Sequence, residues 1–203
     1  MGQIPSKKGN EKIFTEPRRK KMSVAEVVRL TPPNSSVFIE PGKYEETTPI
    51  VIDKSLVLIG LTEDNSTNIV VRTESSCCVM ISTSEKVVIQ NIEFTTNETL
   101  KPVIDIQQGE VIIEDCSISG CEEGVLLSQQ ATSLTMMNCN VSNCAKVGIE
   151  CTGEETTIFI DKSNFKECSN AISISQGSNP LINECLISEC GTGIYVAENG
   201  RVS

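Results

Sequence analysis

Apolar and polar residues alternate along this chain in short bursts, and the bursts recur at a fixed spacing. Four segments, VIIEDCSISGC from Val111, LTMMNCNVSNC from Leu134, IFIDKSNFKEC from Ile158 and PLINECLISEC from Pro180, superpose at steps of 23, 24 and 22 residues. One column of the superposition reads Cys116, Cys139, Ser163, Cys185 and another Cys121, Cys144, Cys168, Cys190. Apolar columns run beside them: Ile113, Met136, Ile160, Ile182, then Ile118, Val141, Phe165, Ile187, and later Val125, Ile149, Ile172, Ile194. Self-similarity at this period indicates a solenoid, whose units bury their apolar faces only by stacking on one another.

Within each unit the alternation has the period of a strand with one face turned inward. Three such short strands, separated by polar corners such as Glu114-Asp115, describe one triangular turn of a parallel β-helix. A leucine-rich repeat of similar length would need a helical stretch and its own leucine signature, and neither is present. Glycine or alanine just before the third strand (Gly124, Gly148, Ala171, Gly193) fits a tight corner. The same columns continue upstream through Val87, Ile89, Ile92, Phe94, Ile104 and Ile106, then Leu56, Leu58, Ile69, Val71, Val79 and Ile81. Val37, Ile39, Ile50 and Ile52 form a partial first coil. The expected organisation is a basic, disordered leader over 1–21, a capping helix within 22–33 and an all-β solenoid of about six coils over 34–203. Ser23 with Glu26 forms a capping box, and Val24, Val27 and Val28 share a face, so the helix is expected to plug the first coil. At the other end, after Ile194-Tyr195-Val196, no polar cap is visible. That leaves end-to-end pairing with another chain, or a short product of a longer protein, as the two readings.

Composition narrows the chemistry. Eight of the ten cysteines fall in inward or corner columns, a spacing dictated by the coil, so they read as reduced, small buried hydrophobes. There is no histidine and no C-x2-C knuckle, so no metal site and no cofactor is expected. Glu114, Asp115, Asp161 and Glu184 recur at one corner and form an acidic stripe that could bind a cation; solvated corners are the plainer reading. Few aromatics are left to line a sugar-binding face. The acidic body disfavours nucleic acid as a partner.

The first residues carry the one motif with a specific chemical meaning. Met1-Gly2-Gln3-Ile4-Pro5-Ser6 fits the M-G-x-x-x-[ST] pattern of N-myristoylation at Gly2. One acyl chain holds a membrane only marginally, and a second signal follows it: Lys7, Lys8, Lys12, Arg18, Arg19, Lys20 and Lys21. Seven basic residues against two acidic ones give the leader a net charge of +5, and the remainder −15. The sequence shows no secretory signal pattern and no run of eighteen apolar residues. The expected location is therefore the cytoplasm, peripheral to an anionic membrane surface through the lipid anchor.

The segments VFIEPGKYEETTPIVIDKSLVLIG (from Val37) and SNPLINECLISECGTGIYVAENG (from Ser178) resemble the pectin-lyase-like right-handed parallel β-helix superfamily. Within it they are most similar to the β-helix repeats of F-box-only proteins. The resemblance covers about 34 to 203 and implies a right-handed coil; it is specific for fold and weak for function. Residues 1–33 leave no room for an F-box, so a ubiquitin-ligase role is not carried over. The histidine- and tryptophan-bearing motifs of polygalacturonase- and pectate-lyase-like sites have no counterpart here, and neither do the G-x-Q-D-T and D-F-I-F-G strings of pectin methylesterases. The expectation is a non-catalytic module that binds an unknown protein partner. The alternative is a degenerate or unusual carbohydrate-active enzyme.

Overall fold

A computed structural model describes residues 12–13, 22–61, 67–71, 77–96, 102–127, 132–197 and 199–202. Every strand pairing in it is parallel, and the strands stack in three columns. The first sheet contains Ser35–Ile39, Leu56–Gly60, the second halves of Val79–Gln90 and Pro102–Glu114, then Thr132–Met137, Thr157–Asp161 and Leu181–Asn183. The second begins at Gly42–Glu46 and ends at Leu186–Ser188; the third begins at Ile50–Ile52 and ends at Thr192–Val196. The chain visits the sheets in strict rotation, so the molecule is a right-handed parallel β-solenoid of about six turns with a short helix at its N-terminal end. Several strands, such as Asn140–Thr152, continue round a corner from one sheet into the next.

Stacked strands put like residues over like. In the first sheet Leu58, Ile89, Ile113, Met136 and Ile160 are all fully buried, and in the third so are Ile50, Val79, Ile104, Val125, Ile149 and Ile172. The apolar columns read from the sequence are this core, and they supply the hydrophobic gain of folding. The first coil is complete rather than partial. Its second strand, Gly42–Glu46, escapes sequence reading because its inward positions carry Tyr44 and Glu46, which are polar at their tips. Tyr44 sends its hydroxyl back to the Glu40 carbonyl at 2.8 Å.

Glu46 has a specific task. Its carboxylate is 2 % exposed and accepts from the Val24 N–H at 2.7 Å and the Ala25 N–H at 3.3 Å. Those are donors that the first turn of a helix leaves unpaired, and the helix dipole favours a negative charge there. The helix, Val24–Leu30, is capped by Ser23, whose hydroxyl accepts from Glu26 N–H at 3.1 Å, and it lays Val24, Val27 and Val28 over the Ile50–Ile52 strand. Glu46→Ala is expected to lower stability by about 2–3 kcal/mol, since bonds to a charged, buried acceptor are among the stronger ones, and Glu46→Gln by roughly half of that. Urea denaturation checks this; an unchanged midpoint in Glu46→Ala would remove Glu46 as the bolt of the plug. The last described coil has no such cover, and its core-column residues Ile194 and Val196 are 37 % and 45 % exposed.

Gly124 and Gly148 correct the reason given for small residues before the third strand. Neither has a positive φ, so no tight turn demands glycine. A Cβ at Gly124 would lie 2.4 Å from the Gly148 carbonyl oxygen, and one at Gly148 would lie 2.5 Å from that of Ala171. The close approach of one coil to the next excludes side chains there.

The outer faces differ. In one row of the second sheet Lys43, Asn68, Glu93, Ser117, Asn140 and Asn164 stand over one another. The corresponding row of the first sheet reads Val57, Val88, Ile112, Thr135, Phe159, Leu181.

Candidate functional site

The corner between the first and second sheets holds the acidic residues singled out in the sequence, in two adjacent registers. Glu114 and Asp161 end their strands and belong to the row Gln90, Glu114, Met137, Asp161, Asn183. Asp115 and Glu184 come one residue later, in the row Asn91, Asp115, Asn138, Lys162, Glu184, all of which adopt a left-handed backbone with φ between 48° and 55°. Asparagine and aspartate tolerate that conformation best, and the structure extends it to lysine and glutamate. The turn keeps the ladder intact, because Asn91, Asp115, Asn138 and Lys162 each donate a backbone N–H to the next coil at 3.0–3.2 Å.

The four carboxylates therefore share a corner without forming a contiguous line, since Met137, Asn138 and Lys162 stand between them. Glu114 and Asp161 lie two coil steps apart, about 10 Å at a strand spacing of about 4.8 Å. Each is bonded to an amide from an adjacent coil: Gln90 Nε2 donates to Glu114 Oε2 at 2.6 Å, and Asn183 Nδ2 to Asp161 Oδ1 at 2.6 Å. Lys162 Nζ stands 3.8 Å from the other Asp161 oxygen. Among the described residues no group of three or more Cys, Asp or Glu side chains is placed to hold a metal ion.

Seven of the cysteines line two corners, each one residue after a left-handed residue: Cys116, Cys139 and Cys185 at the first, Cys121, Cys144, Cys168 and Cys190 at the second. All ten are free thiols. At the first corner Cys116 Sγ donates to the Glu114 carbonyl at 3.3 Å, Cys139 to Met137 at 3.2 Å and Cys185 to Asn183 at 3.3 Å. Ser163 takes the same place with Oγ 3.0 Å from the Asp161 carbonyl, and it also accepts from the Cys139 N–H. A short side chain with one donor thus adds a second bond to a carbonyl that already accepts a backbone N–H from the preceding coil. At the second corner the sulfurs touch one another: Cys121 Sγ and Cys144 Sγ are 3.1 Å apart, and Cys168 bonds to both Cys144 and Cys190. Burial pushes Cys139 and Cys151 up to about 12 and Cys116 higher still. Hydrogen bonding to Cys121 raises Cys144, and bonding to Cys144 raises Cys168. Thiolate is the reactive and metal-binding form, so these groups are held as neutral donors.

Gly2, Lys7, Lys8, Arg18, Arg19, Lys20 and Lys21 lie outside the described residues. Lys12 opens a two-residue strand, Lys12–Ile13, paired in parallel with Val37 and Phe38 at the start of the first sheet. Sequence reasoning missed the left-handed corners and the thiol-to-carbonyl bonds, although an Asn or Asp immediately before Cys (Asp115-Cys116, Asn138-Cys139, Asn143-Cys144) marks several of them. It also missed the outer apolar row, for which the unbroken runs LVLI, VVI, VII and IFI were the signal.

Residues 57–203 match the protein-family model described as a right handed beta helix region. No curated protein matches the chain.

Proposed function

The chain belongs to the right-handed β-helix family, and on that premise we propose that it is a non-catalytic scaffold that binds a protein partner while tethered to the cytoplasmic face of a membrane. The observation that carries the reading is where the molecule puts its reactive groups. Most of the thiols are buried and several, such as Cys116 and Cys139, donate to backbone carbonyls, and Glu114 and Asp161 are engaged by amides of neighbouring coils, while the outer faces of three stacked sheets are left for contact. Such faces are what solenoids use for binding. The tether rests on the Gly2 motif and on the charge contrast between a +5 leader and a −15 remainder.

Two measurements test the two halves. Affinity capture from the native cell should return a stoichiometric protein partner; release of product from pectic polysaccharides, abolished by changing Asp115 or Asp161, would overturn the scaffold. Gly2→Ala should move the protein off membranes altogether. Neutralising Arg18, Arg19, Lys20 and Lys21 should weaken membrane binding by about 1 kcal/mol per charge at most, an effect that high salt mimics. A native N-terminus found unmodified or merely acetylated by intact mass sinks the tether.

A further inference from the structure

We propose that the outer face of the first sheet is the docking surface for a basic amphipathic helix of a partner protein, an inference that rests on the scaffold reading and names its surface and the chemistry of its partner. The row Val57, Val88, Ile112, Thr135, Phe159, Leu181 is continuous in register across six coils. Its residues are partly exposed, and Leu181 is 50 % exposed. Because the inward neighbours are also apolar, strands such as Leu56–Gly60 and Thr157–Asp161 read as nearly unbroken hydrophobic runs. That is the composition of a parallel strand covered on both faces. The second sheet carries asparagine, serine and charged residues in the corresponding row, so the apolar face is a property of this sheet and not of the solenoid in general.

The borders of the row specify the partner's charge. On the side leading into the sheet stand Glu110, Glu154 and Glu155; on the side leading out stand Glu114, Asp161 and Glu184. Two lysines share these borders, Lys86 paired with Glu110 at 2.9 Å and Lys162 standing 3.8 Å from Asp161, and against the six carboxylates named they leave the borders net negative. An apolar strip between two acidic borders repels an anionic lipid surface, and it repels a second copy carrying the same borders. It suits an apolar ridge flanked by Lys and Arg.

The topology specifies the partner's backbone. A solenoid has free strand edges only at its two ends, so a ligand on the lateral face cannot add itself as a strand and must satisfy its own N–H and C=O groups. A helix does so. Its pitch of about 5.4 Å nearly matches the coil spacing of about 4.8 Å, so residues at i, i+3, i+4 and i+7 fall over successive coils. From Val57 to Leu181 is five coil steps, about 24 Å, which a helix of about 16 residues spans.

The probe is a synthetic helical peptide of about 18 residues, with leucine along one face and lysine on both flanks. It is compared by fluorescence anisotropy with a scrambled peptide of the same composition and with a version in which glutamate replaces lysine. The first should bind the full chain, and the other two at least about tenfold more weakly. The double variant Ile112→Ser/Phe159→Ser should lose binding to the same degree while keeping its β circular dichroism and melting temperature, and Glu110→Lys/Glu154→Lys should weaken it as well. Equal binding of the scrambled peptide, or indifference to the Ile112/Phe159 change, overturns the proposal. So does self-association in sedimentation, or binding to phosphatidylserine vesicles, that the double variant abolishes; either would assign the face to a second copy or to a membrane. If the double variant still retains the partner captured by the native protein, this surface is wrong and the scaffold stands. If the native protein captures none, the scaffold reading itself fails.

Discussion

Raising the pH from about 9 to about 10 is expected to remove about 2 kcal/mol of folding stability through Cys139 and Cys151 alone. Both thiols have their ordinary value of 9.0 in the open chain and about 12 in the fold, because burial penalises the thiolate. A group whose folded value is raised contributes its full stability below the unfolded value and loses it as the pH climbs through the folded one. Across that window the native state keeps each proton while the unfolded state goes from about half to about nine-tenths ionised, at a cost of about 1 kcal/mol per thiol, and the slope steepens toward about 1.4 kcal/mol per pH unit above it. Cys116, Cys144 and Cys168 are shifted in the same direction and add to the slope. Against a margin of about 5–15 kcal/mol for a typical domain, the protein should unfold well before the lysines discharge. Urea midpoints under reducing conditions at successive pH values give the slope, and Cys151→Val should reduce it by about one thiol's share. A flat profile up to about pH 10 would show that the thiols are not sealed from solvent.

The second large effect is expected from Phe165→Ala. This ring is fully buried in the second-sheet row Phe94, Ile118, Val141, Phe165, Ile187. It also fills the space beside Gly148, where its Cδ1 lies 3.1 Å from the position a Cβ would take. Removing it leaves a cavity that neither the rigid ladder nor a glycine can close, at a cost of about 3–5 kcal/mol. Phe159, six residues earlier in the same coil, is the matched control because it points outward. Phe159→Ala should cost less than about 1 kcal/mol. Thermal and urea denaturation of the pair decide the matter, and similar losses for both would mean that the alternation assigns the wrong faces.

The fold was legible because a solenoid writes its contacts into the sequence as columns. Ile113 stacks on Met136 and Met136 on Ile160, and the residues that touch are the residues that align. The same logic failed where a column changes chemistry. Tyr44 stands in a column that otherwise reads Ile69, Phe94, Ile118, Val141 and Phe165, Glu46 in one with Val71 and Thr96, and an alternation of hydropathy cannot announce a buried carboxylate whose partner is a helix end. The acidic corner was legible as a location and not as a geometry. Glu114 and Asp115 are neighbours in sequence, but the left-handed turn at Asp115 sends them into different registers, and only the fold shows Gln90 and Asn183 bonded to Glu114 and Asp161. The small residues at Gly124 and Gly148 were correctly located and wrongly explained, because sequence reports size and not which carbonyl stands nearby.

The strict in-and-out alternation of the first sheet has a consequence for how such a protein can change over generations. Val111 and Ile113 are buried in the coil, whereas Ile112 between them is turned outward, in register with Val88 on one side and Thr135 on the other. A substitution at an outward position is felt one coil up and one coil down and hardly at all by the core. Selection can therefore rewrite an outer row, one coil at a time, while the inner columns stay fixed. A lineage built on this scaffold is free to exchange partners without ever passing through an unfolded ancestor.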